Sequence, residues 1–287
     1  MTILQPDGFI VFSDVTKTFQ LGSRQSGSQS FTAIRDVSLS VRRGDITMLL
    51  GPSGCGKSTL LNLAAGLIGP TQGTVTYDGA PVGGLNHRVA YMTQQDHLLP
   101  WRTVSGNVSL PLEVAGLAKP RRDARVEELL FLVGLKDFAK SYPNQISGGM
   151  RKRCALARLL AADRETLLLD EPFGALDAQL RLTLQAELLR ICRKLNLTVM
   201  FVTHDIEEAA ALGDKCAVFQ GRPGTVAKVF DNPLPKDRGQ DHDLARLRFD
   251  PRHHSFTNEL WAMLTPDLAA MSSPSVMSSP SAMAASA

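Results

Sequence analysis

The chain has 287 residues, of which 44% are apolar and 21% charged, a composition typical of a soluble globular protein. Its 31 basic and 28 acidic side chains leave a formal charge of +3, so the electrostatics give no reason to expect a nucleic-acid partner. No stretch reaches the roughly 18 apolar residues of a membrane-spanning helix, and the N-terminus lacks the pattern of a secretion signal. We therefore expect a cytoplasmic protein that reaches a membrane only through a partner.

The four cysteines argue against a metal or disulfide framework. Cys55, Cys154, Cys192 and Cys216 are far apart and form no CxxC pair, whereas zinc sites and small disulfide-bonded folds use close, regular spacings. We expect Cys154, Cys192 and Cys216 to be small buried apolar residues.

Short segments near the N-terminus alternate apolar and polar residues, as half-buried strands do. They are Phe9–Thr16, Ile34–Val41 and Thr74–Tyr77, the last followed by the turn pair Asp78-Gly79. The polar stretch Gly22–Ser30 between the first two predicts an exposed loop. Together these segments predict an antiparallel β layer.

A second set of segments predicts an α/β core. The compact apolar runs Asp45–Leu50, Thr166–Leu169 and Thr198–Val202 are typical of strands buried on both faces of a parallel sheet. Between them, residues 126–133 carry apolar side chains at helical spacing, and Gln179–Lys194 is rich in leucine without a breaker. Strands that alternate with helices indicate a parallel sheet covered by helices.

The pattern weakens towards the C-terminus. Asn232–Asp243 is rich in proline and charge and predicts a linker, and Leu244–Leu264 has enough apolar residues for a small terminal helix. The last stretch, Pro266–Ala287, consists mainly of Ser, Pro, Ala and Met and is predicted to be disordered.

A phosphate-binding loop is the sharpest local signal. The loop residues are Gly51, Pro52, Ser53, Gly54, Cys55, Gly56, Lys57 and Ser58, which fit G-x-x-x-x-G-K-[ST], and Thr59 begins the predicted helix behind them. Glycines let the backbone N–H groups curl around a phosphate, and the helix adds its positive end. Lys57 would reach the terminal phosphates of ATP, and the Ser58 hydroxyl would coordinate Mg²⁺. Cys55 is a spacer in this motif.

Two carboxylates follow the second buried run. Asp170 and Glu171 end the sequence Leu-Leu-Leu-Asp-Glu. Behind a phosphate loop, an aspartate here would hold the Mg²⁺, usually through water. Glu171, turned the other way by strand alternation, would polarise the water that attacks the terminal phosphate.

Between these two motifs, the sequence Ile-Ser-Gly-Gly-Met-Arg-Lys-Arg at 146–153 resembles the LSGGQ signature of the ATP-binding cassette (ABC) ATPases. Its signature residues are Ser147, Gly148, Gly149 and Met150. Ser147 and two glycines at a helix start form a second anion-binding site by the same physics as the phosphate loop. The resemblance implies a homodimer in which ATP is clamped between the phosphate loop of one copy and the signature of the other.

The remaining motifs of the family occur in order. By resemblance, Phe19 stacks on adenine, Gln94 touches Mg²⁺ and the attacking water, and His204 contacts the terminal phosphate. The D-loop at the dimer seam would comprise Ala175, Leu176 and Asp177. The implied catalytic set is Glu171, His204 and Lys57, and the implied metal set is Ser58, Gln94 and Asp170.

The resemblance covers roughly residues 9–230 and implies a P-loop NTPase fold of the α/β class. Residues 1–93 and 165–232 would form a RecA-like core with its antiparallel β layer, and residues 94–164 a helical subdomain with the signature. Residues 233–265 would be a C-terminal extension and 266–287 a disordered tail. The cofactors implied are ATP and Mg²⁺.

The segment from Asp96 to Asn107 is similar to the importer ATPases for nitrate, sulfonates and taurine, as is SGGMRKR. This implies membrane permease subunits as partners, indirectly an external solute-binding protein, and a place on the cytoplasmic face of the inner membrane. In such transporters this region receives a helix of the permease. Leu98, Leu99 and Trp101 would suit that contact, or they would pack inside the helical subdomain.

Three other functions compete with the importer. A soluble ABC protein of DNA repair or translation usually carries two cassettes, a coiled coil or a zinc module, and this chain shows one cassette without either insertion. A phosphate-loop kinase would leave the signature and His204 without a role. A binding module without catalysis is disfavoured because Lys57 and Glu171 are both present.

Overall fold

A computed structural model describes residues 8–21, 29–174, 176–234, 244–247 and 249–271. In the described part, the strands are β1 Ile10–Leu21, β2 Gln29–Val41, β3 Ile46–Leu50, β4 Gln72–Tyr77, β5 Ala80–Pro81, β6 Val89–Met92, β7 Thr166–Asp170, β8 Thr198–Thr203, β9 Lys215–Gln220 and β10 Thr225–Asp231. The helices are α1 Lys57–Ala64, α2 Val104–Val114, α3 Lys119–Leu132, α4 Gly148–Ala161, α5 Ala178–Lys194, α6 Ile206–Leu212, α7 Leu244–Leu247 and α8 Pro251–Met271. Short 3₁₀ turns lie at Lys136–Phe138 and Pro143–Gln145.

The predicted antiparallel layer is present as a sheet of order β2-β1-β4-β5. The turn between β4 and β5 is Asp78-Gly79, and both residues have positive φ, 52° and 78°, as a tight hairpin turn requires. β1 and β2 are longer than predicted, because cross-strand pairing continues through Phe19 and Phe31. Gln29 and Ser30, assigned to a loop from the sequence, therefore belong to β2, while the rest of that loop, 22–28, lies outside the described residues.

The second sheet has the order β10-β9-β3-β8-β7-β6 and contains the parallel strands predicted from the apolar runs. Every residue of β3, β7 and β8 is buried. These strands are buried because both faces of the sheet are covered. In β3, Met48 and Leu50 belong to the core that includes helices α2 to α5, whereas Leu49 belongs to the core under the antiparallel layer and α1. Because β3, β7 and β8 are parallel, their carboxyl ends meet at one edge of the sheet.

The helices α2, α3 and α4 lie in the chain between β6 and β7 and pack against one another. We call them the helical block. The face of α3 predicted from helical spacing is confirmed, since Val126, Leu129 and Leu130 are buried, followed by Val133. The block shares a continuous core with one face of the parallel sheet.

The C-terminal region differs from the sequence-based prediction. The single helix predicted for Leu244–Leu264 is two helices, α7 and α8. Helix α8 continues to Met271, so the first residues of the stretch predicted as disordered are helical. Phe256, Leu260 and Leu264 anchor the preceding turns of α8 in the core. The predicted linker residues 235–243 and the tail residues 272–287 lie outside the described part.

All four cysteines are buried and free, as expected for Cys154, Cys192 and Cys216. Among the described residues no group of metal-ligating side chains could hold an ion through histidine, cysteine and carboxylate alone. In that same part of the chain, no helix is long and apolar enough to cross a bilayer.

A buried ion pair joins α5 to the start of the sheet. Both guanidinium nitrogens of Arg193 donate to Asp214, at 2.8 and 2.6 Å, and Asp214 also accepts from the backbone N–H of Ile46 at 2.8 Å. The Asp214 side chain is 1% exposed. Removing this carboxylate would leave a largely buried cation and a buried N–H without their acceptor.

We expect Asp214→Ala to lower the free energy of unfolding by about 3–5 kcal/mol, because a broken buried pair leaves an uncompensated charge. The control is Asp231→Ala, which removes an 83% exposed carboxylate 3.4 Å from Lys215 and should change stability by less than about 1 kcal/mol. Denaturant unfolding measures both, and equal losses in the two variants would contradict the role given to Asp214.

Candidate functional site

The phosphate loop lies between β3 and α1, and its curvature depends on glycine. Gly56 has a φ of 88°, and a Cβ there would lie 2.3 Å from the Cγ2 atom of Ile34. A Cβ on Gly51 would lie 2.5 Å from the carbonyl oxygen of Phe219. The backbone of the loop therefore approaches its neighbours more closely than any side chain would allow.

Lys57 places its ammonium inside this loop. It is 6% exposed, and its Nζ donates to the carbonyl oxygens of Gly51 and Pro52, both at 2.7 Å. Helix α1 begins at Lys57 without a side-chain cap, so the N–H groups of its first turn have no side-chain acceptor. A fixed cation and a helix N-terminus at a glycine cradle fit a phosphate group.

Cys55 lies in the loop but is poorly suited to react. It is fully buried, and burial raises the pKa of its thiol despite the neighbouring Lys57 ammonium. The neutral thiol is a weak nucleophile, which agrees with its prediction as a spacer.

Asp170 ends β7 beside the loop. Its carboxylate is hydrogen-bonded to the Ser58 hydroxyl, and burial raises its pKa while Ser58 and Lys57 act in the opposite direction. A carboxylate and a hydroxyl that already touch are oxygen ligands of the kind Mg²⁺ prefers. The residues present therefore fit the cation that the sequence implied.

Glu171 contacts Gln94, predicted to touch the attacking water, and His204, predicted to contact the terminal phosphate. Its Oε2 accepts from Gln94 Nε2 at 3.4 Å, and its Oε1 is 3.4 Å from His204 Nδ1. The sequence predicted that strand alternation orients Glu171. This prediction is wrong, because β7 ends at Asp170. Glu171 instead has a φ of 49°, and its N–H donates to the carbonyl of Val202 at 3.0 Å.

The signature and the D-loop both form helix starts. Ser147 caps α4 by accepting from the Met150 N–H at 3.2 Å, with Gly148 and Gly149 opening the helix. Asp177 caps α5 by accepting from the Leu180 N–H at 2.9 Å, and Leu176 before it is buried. Ala175 lies outside the described residues. Within the described part of this single chain, no hydrogen bond or ion pair joins Ser147 to the phosphate loop.

Phe19 remains on the antiparallel layer. It pairs with Phe31 across β1 and β2, and the Lys17 ammonium lies 5.2 Å from the centre of its ring. The ring is partly exposed. The structure thus groups the phosphate loop with the residues after β7 and β8, while the role of Phe19 stays a prediction.

Three basic residues of α4 that the sequence reasoning did not single out hold the segment after Gln94. Arg151 pairs with Asp96 at 3.1 Å, Lys152 donates to the carbonyl of Gln94, and Arg158 donates to the carbonyls of Asp96 and His97 at 2.7 and 2.8 Å. Burial lowers the pKa of Lys152. The run Arg-Lys-Arg after the signature contains Arg151 and Lys152 but not Arg158, and the partners of these three residues lie more than fifty residues away.

The sequence reasoning also gave no role to Asn107, which holds the segment that contains Leu98, Leu99 and Trp101. The structure shows which of these three residues pack inside the protein. Its fully buried side chain bonds the backbone N–H and carbonyl of Leu99 at 2.7 and 3.1 Å and the carbonyl of Thr103 at 3.0 Å. Leu98 is buried in the core, whereas Trp101 is 72% exposed. Leu99 is partly buried, so of these three apolar residues Trp101 is the one that can contact another protein with most of its surface.

Comparison with known proteins identifies the family. The family described as ABC transporter matches residues 34–174. An uncharacterized ABC transporter ATP-binding protein, YtlC of Bacillus subtilis (strain 168), is 41% identical over 83% of this chain and 88% of its own length. The chain belongs to the ABC transporter ATP-binding proteins.

Two further relatives are named for the solutes that they import. The taurine import ATP-binding protein TauB of Roseobacter denitrificans is 39% identical and covers 80% of this chain, with 87% of its own length matched. The aliphatic sulfonates import ATP-binding protein SsuB 1 of Xanthomonas axonopodis pv. citri is 45% identical over 74% of this chain and 85% of its own length.

A solved structure has the same fold. It is a dimeric post-hydrolysis state of the ATP-binding cassette MJ0796 bound to ADP and Pi, with a TM-score of 0.71 and 31% identity over 79% of this chain and all of that one. The P-loop NTPase fold predicted from the sequence is confirmed. This protein is an ATP-binding ATPase of the ABC family.

A buried carboxyl group supports the helix that follows His204. Glu208 on α6 accepts from Gln185 Nε2 of α5 at 2.8 Å and is hydrogen-bonded to Thr203 at the end of β8. The hydrogen bond between Gln185 and Glu208 joins α5, which follows the D-loop, to α6, which follows His204. Burial raises the pKa of Glu208 to about 7; Thr203, Gln185 and Arg181 lower it, and Asp205 raises it.

This shift gives a pH dependence with a definite sign. Between the ordinary value of 4.5 and about 7, the folded protein keeps the Glu208 proton that the unfolded chain has released, so the stability from this group falls as pH rises. We expect Glu208→Gln to gain on the order of 1–3 kcal/mol relative to the wild type between pH 5 and pH 8. Denaturant unfolding at both pH values measures this difference, and a constant difference would contradict the assignment.

Proposed function

We propose that this chain is the ATP-binding and ATP-hydrolysing subunit of an ABC importer that takes up a small anion such as nitrate, a sulfonate or taurine through a separate permease. The observation that carries the proposal is the position of Glu171 between Gln94 and His204, beside the phosphate loop. Two relatives named as import ATP-binding proteins support the importer assignment.

The phosphates of ATP bind at the loop Gly51–Thr59, whose N–H groups surround the β- and γ-phosphates. Lys57 is already held in the loop by two carbonyl oxygens and needs only a small movement to meet a phosphate oxygen. Ser58, Asp170 and Gln94 would hold Mg²⁺, Asp170 through water. The bound ion neutralises charge that develops on the phosphates.

The side chains around Glu171 then act on the attacking water. The Glu171 carboxylate accepts the proton of that water, and the Gln94 amide orients it. His204 donates a hydrogen bond to the terminal phosphate. The Glu171 carboxylate lies 3.4 Å from the Gln94 amide nitrogen and 3.4 Å from His204 Nδ1. The three side chains are therefore already grouped, and little reorganisation is required.

The signature acts in a second copy of the chain. The N–H groups of Gly148 and Gly149 and the Ser147 hydroxyl lie at the start of α4 and would bind the phosphates from the opposite side. The D-loop, Ala175 to Asp177, would lie at the seam, and Phe19 would stack on adenine. ATP thus closes a homodimer, and hydrolysis reopens it. The cassette MJ0796, a structural neighbour, forms a dimer.

The movement would reach the permease through the segment after Gln94. Arg151, Lys152 and Arg158 bind this segment to α4, so it follows the signature helix. Trp101 projects from the next loop and would contact permease subunits, which receive solute from an external binding protein. The chain would work at the cytoplasmic face of the inner membrane.

We expect Glu171→Gln to keep ATP binding and to lower turnover at least about 100-fold, because general-base catalysis contributes 10²–10⁴-fold. The control is Glu127→Gln, which alters a carboxylate 65% exposed on α3 and should leave turnover unchanged. Ordinary turnover by Glu171→Gln would refute the assignment of Glu171 as the general base.

Uptake of labelled taurine, alkanesulfonate and nitrate by cells that lack the gene tests the importer assignment. The wild-type gene should restore uptake of one of these solutes, and the Glu171→Gln variant should restore none. Unchanged uptake of all three after deletion would contradict the proposed solutes.

We expect the dimer to bring Ser53 of one copy near Ser147 of the other. Both are exposed and the four native cysteines are buried, so Ser53→Cys with Ser147→Cys gives selective thiols. With a short bis-maleimide, the double variant in a Glu171→Gln background should form covalent dimers only when ATP is present. Either single variant is the control. Absence of ATP-dependent dimers would exclude the sandwich arrangement.

A further inference from the structure

A pocket of about 160 Å³ lies between the helical block and the parallel sheet, away from the nucleotide site. Its walls include Asp163 and Arg164, just before β7, and Leu195 and Leu197, just before β8. Glu171 and His204 follow the opposite ends of these strands. At about 3.3 Å per residue, the pocket and the nucleotide site are roughly 17 Å apart.

The inner wall of the pocket is apolar. It is formed by leucines of α3 and α4 together with α5 and the residue before β8; they are Leu129, Leu132, Leu159, Leu160, Ile191 and Leu197. Leu195 adds a side chain that is 52% exposed. An engineered cavity of similar size, about 150 Å³, holds benzene, so the pocket has room for an aliphatic chain of about six carbons.

The rim is basic. Arg125, Arg164, Arg190 and Lys194 line it against the acids Glu128 and Asp163, which leaves a net charge of +2. Arg125 pairs with Glu128, and Arg190 pairs with a nearby carboxylate of α5.

Arg164 and Lys194 differ from the other two cations. In the described part of the chain, neither makes an ion pair or a side-chain hydrogen bond, and both are exposed. They come from different elements, Arg164 just before β7 and Lys194 at the end of α5. Two unpaired cations above an apolar pocket complement a ligand with an anionic head and a short apolar tail.

We propose that this pocket binds a short-chain aliphatic anion, a sulfonate or a carboxylate, and that binding slows ATP turnover. The pocket is connected to the nucleotide site through two elements. Helix α4 has the signature at its start and Leu159 and Leu160 near its end, and β7 has Leu167 in the pocket wall and Glu171 just beyond its other end. A ligand between α4 and β7 would fix their spacing and would oppose any change in that spacing as the signature engages ATP in the proposed cycle.

Calorimetry on the full chain tests binding with hexane-1-sulfonate, hexanoate and hexan-1-ol. At least one anion should saturate a single site, and the alcohol should bind at least tenfold more weakly. Saturation by only one anion identifies its class. Butane-1-sulfonate should bind about 15-fold more weakly than the hexane compound, because each buried methylene contributes about fourfold. Absence of saturation by both anions, or equal binding of the alcohol, would overturn the proposal.

The double variant Arg164→Gln with Lys194→Gln should weaken anion binding at least tenfold and leave the alcohol unchanged. The matched control, Arg121→Gln with Lys140→Gln, removes two exposed cations that do not line the pocket and should bind like the wild type. Undiminished binding in the first variant would place the anion elsewhere.

Turnover assays test the coupling. A saturating anion should slow ATP hydrolysis by the wild type and have no effect on Arg164→Gln with Lys194→Gln, whose basal turnover should be normal. Unchanged turnover in a saturated wild-type protein would refute the coupling. Because calorimetry requires neither ATP nor a permease, its result is readable even if the importer assignment is wrong.

Discussion

Parallel pairing of β3, β8 and β7 is the constraint on which the nucleotide site depends. Leu50 is in register with Thr203, and Val202 with Asp170, so three segments far apart in the chain leave the sheet side by side. The strands are held in this register by burial on both faces. A slip of one residue would turn their apolar side chains to the wrong core. The same register therefore secures both the fold and the distance between the phosphate loop and its acids.

The signature helix is joined to the glutamine segment by charge-assisted hydrogen bonds rather than by apolar packing alone. Lys152 and Arg158 donate to backbone carbonyls, and Arg151 binds the Asp96 carboxylate. Such bonds are directional, so α4 and residues 94–97 move as one body more readily than they separate. A helix that holds the signature at its start thus also holds the segment that precedes Trp101. This connection gives a physical route from a closing nucleotide site to an exposed aromatic side chain.

The sequence was sufficient to predict the parts of the site that are local in the chain. The phosphate loop, the helix start at Ser147 and the buried strands each follow from a few consecutive residues. The supports were not predictable, because they depend on distant partners: Asn107 looks like an ordinary helix residue, and Glu208 looks like a surface carboxylate until Gln185 is placed beside it. The anchoring of α8 by Phe256, Leu260 and Leu264 likewise depends on core residues distant in the chain.

Glu171 shows how such non-local contacts change the chemistry that a motif predicts. A left-handed residue other than glycine costs roughly 1–2 kcal/mol, and Glu171 adopts this conformation at the end of β7. Its N–H bond to Val202 and its contacts with Gln94 and His204 offset that cost. The turn separates its carboxylate from Asp170, whose partner is Ser58. Two adjacent acids can then have different tasks, because Asp170 contacts Ser58 whereas Glu171 contacts Gln94 and His204. A regular continuation of the strand would not give Glu171 this backbone turn, so the strain is part of how the site is built.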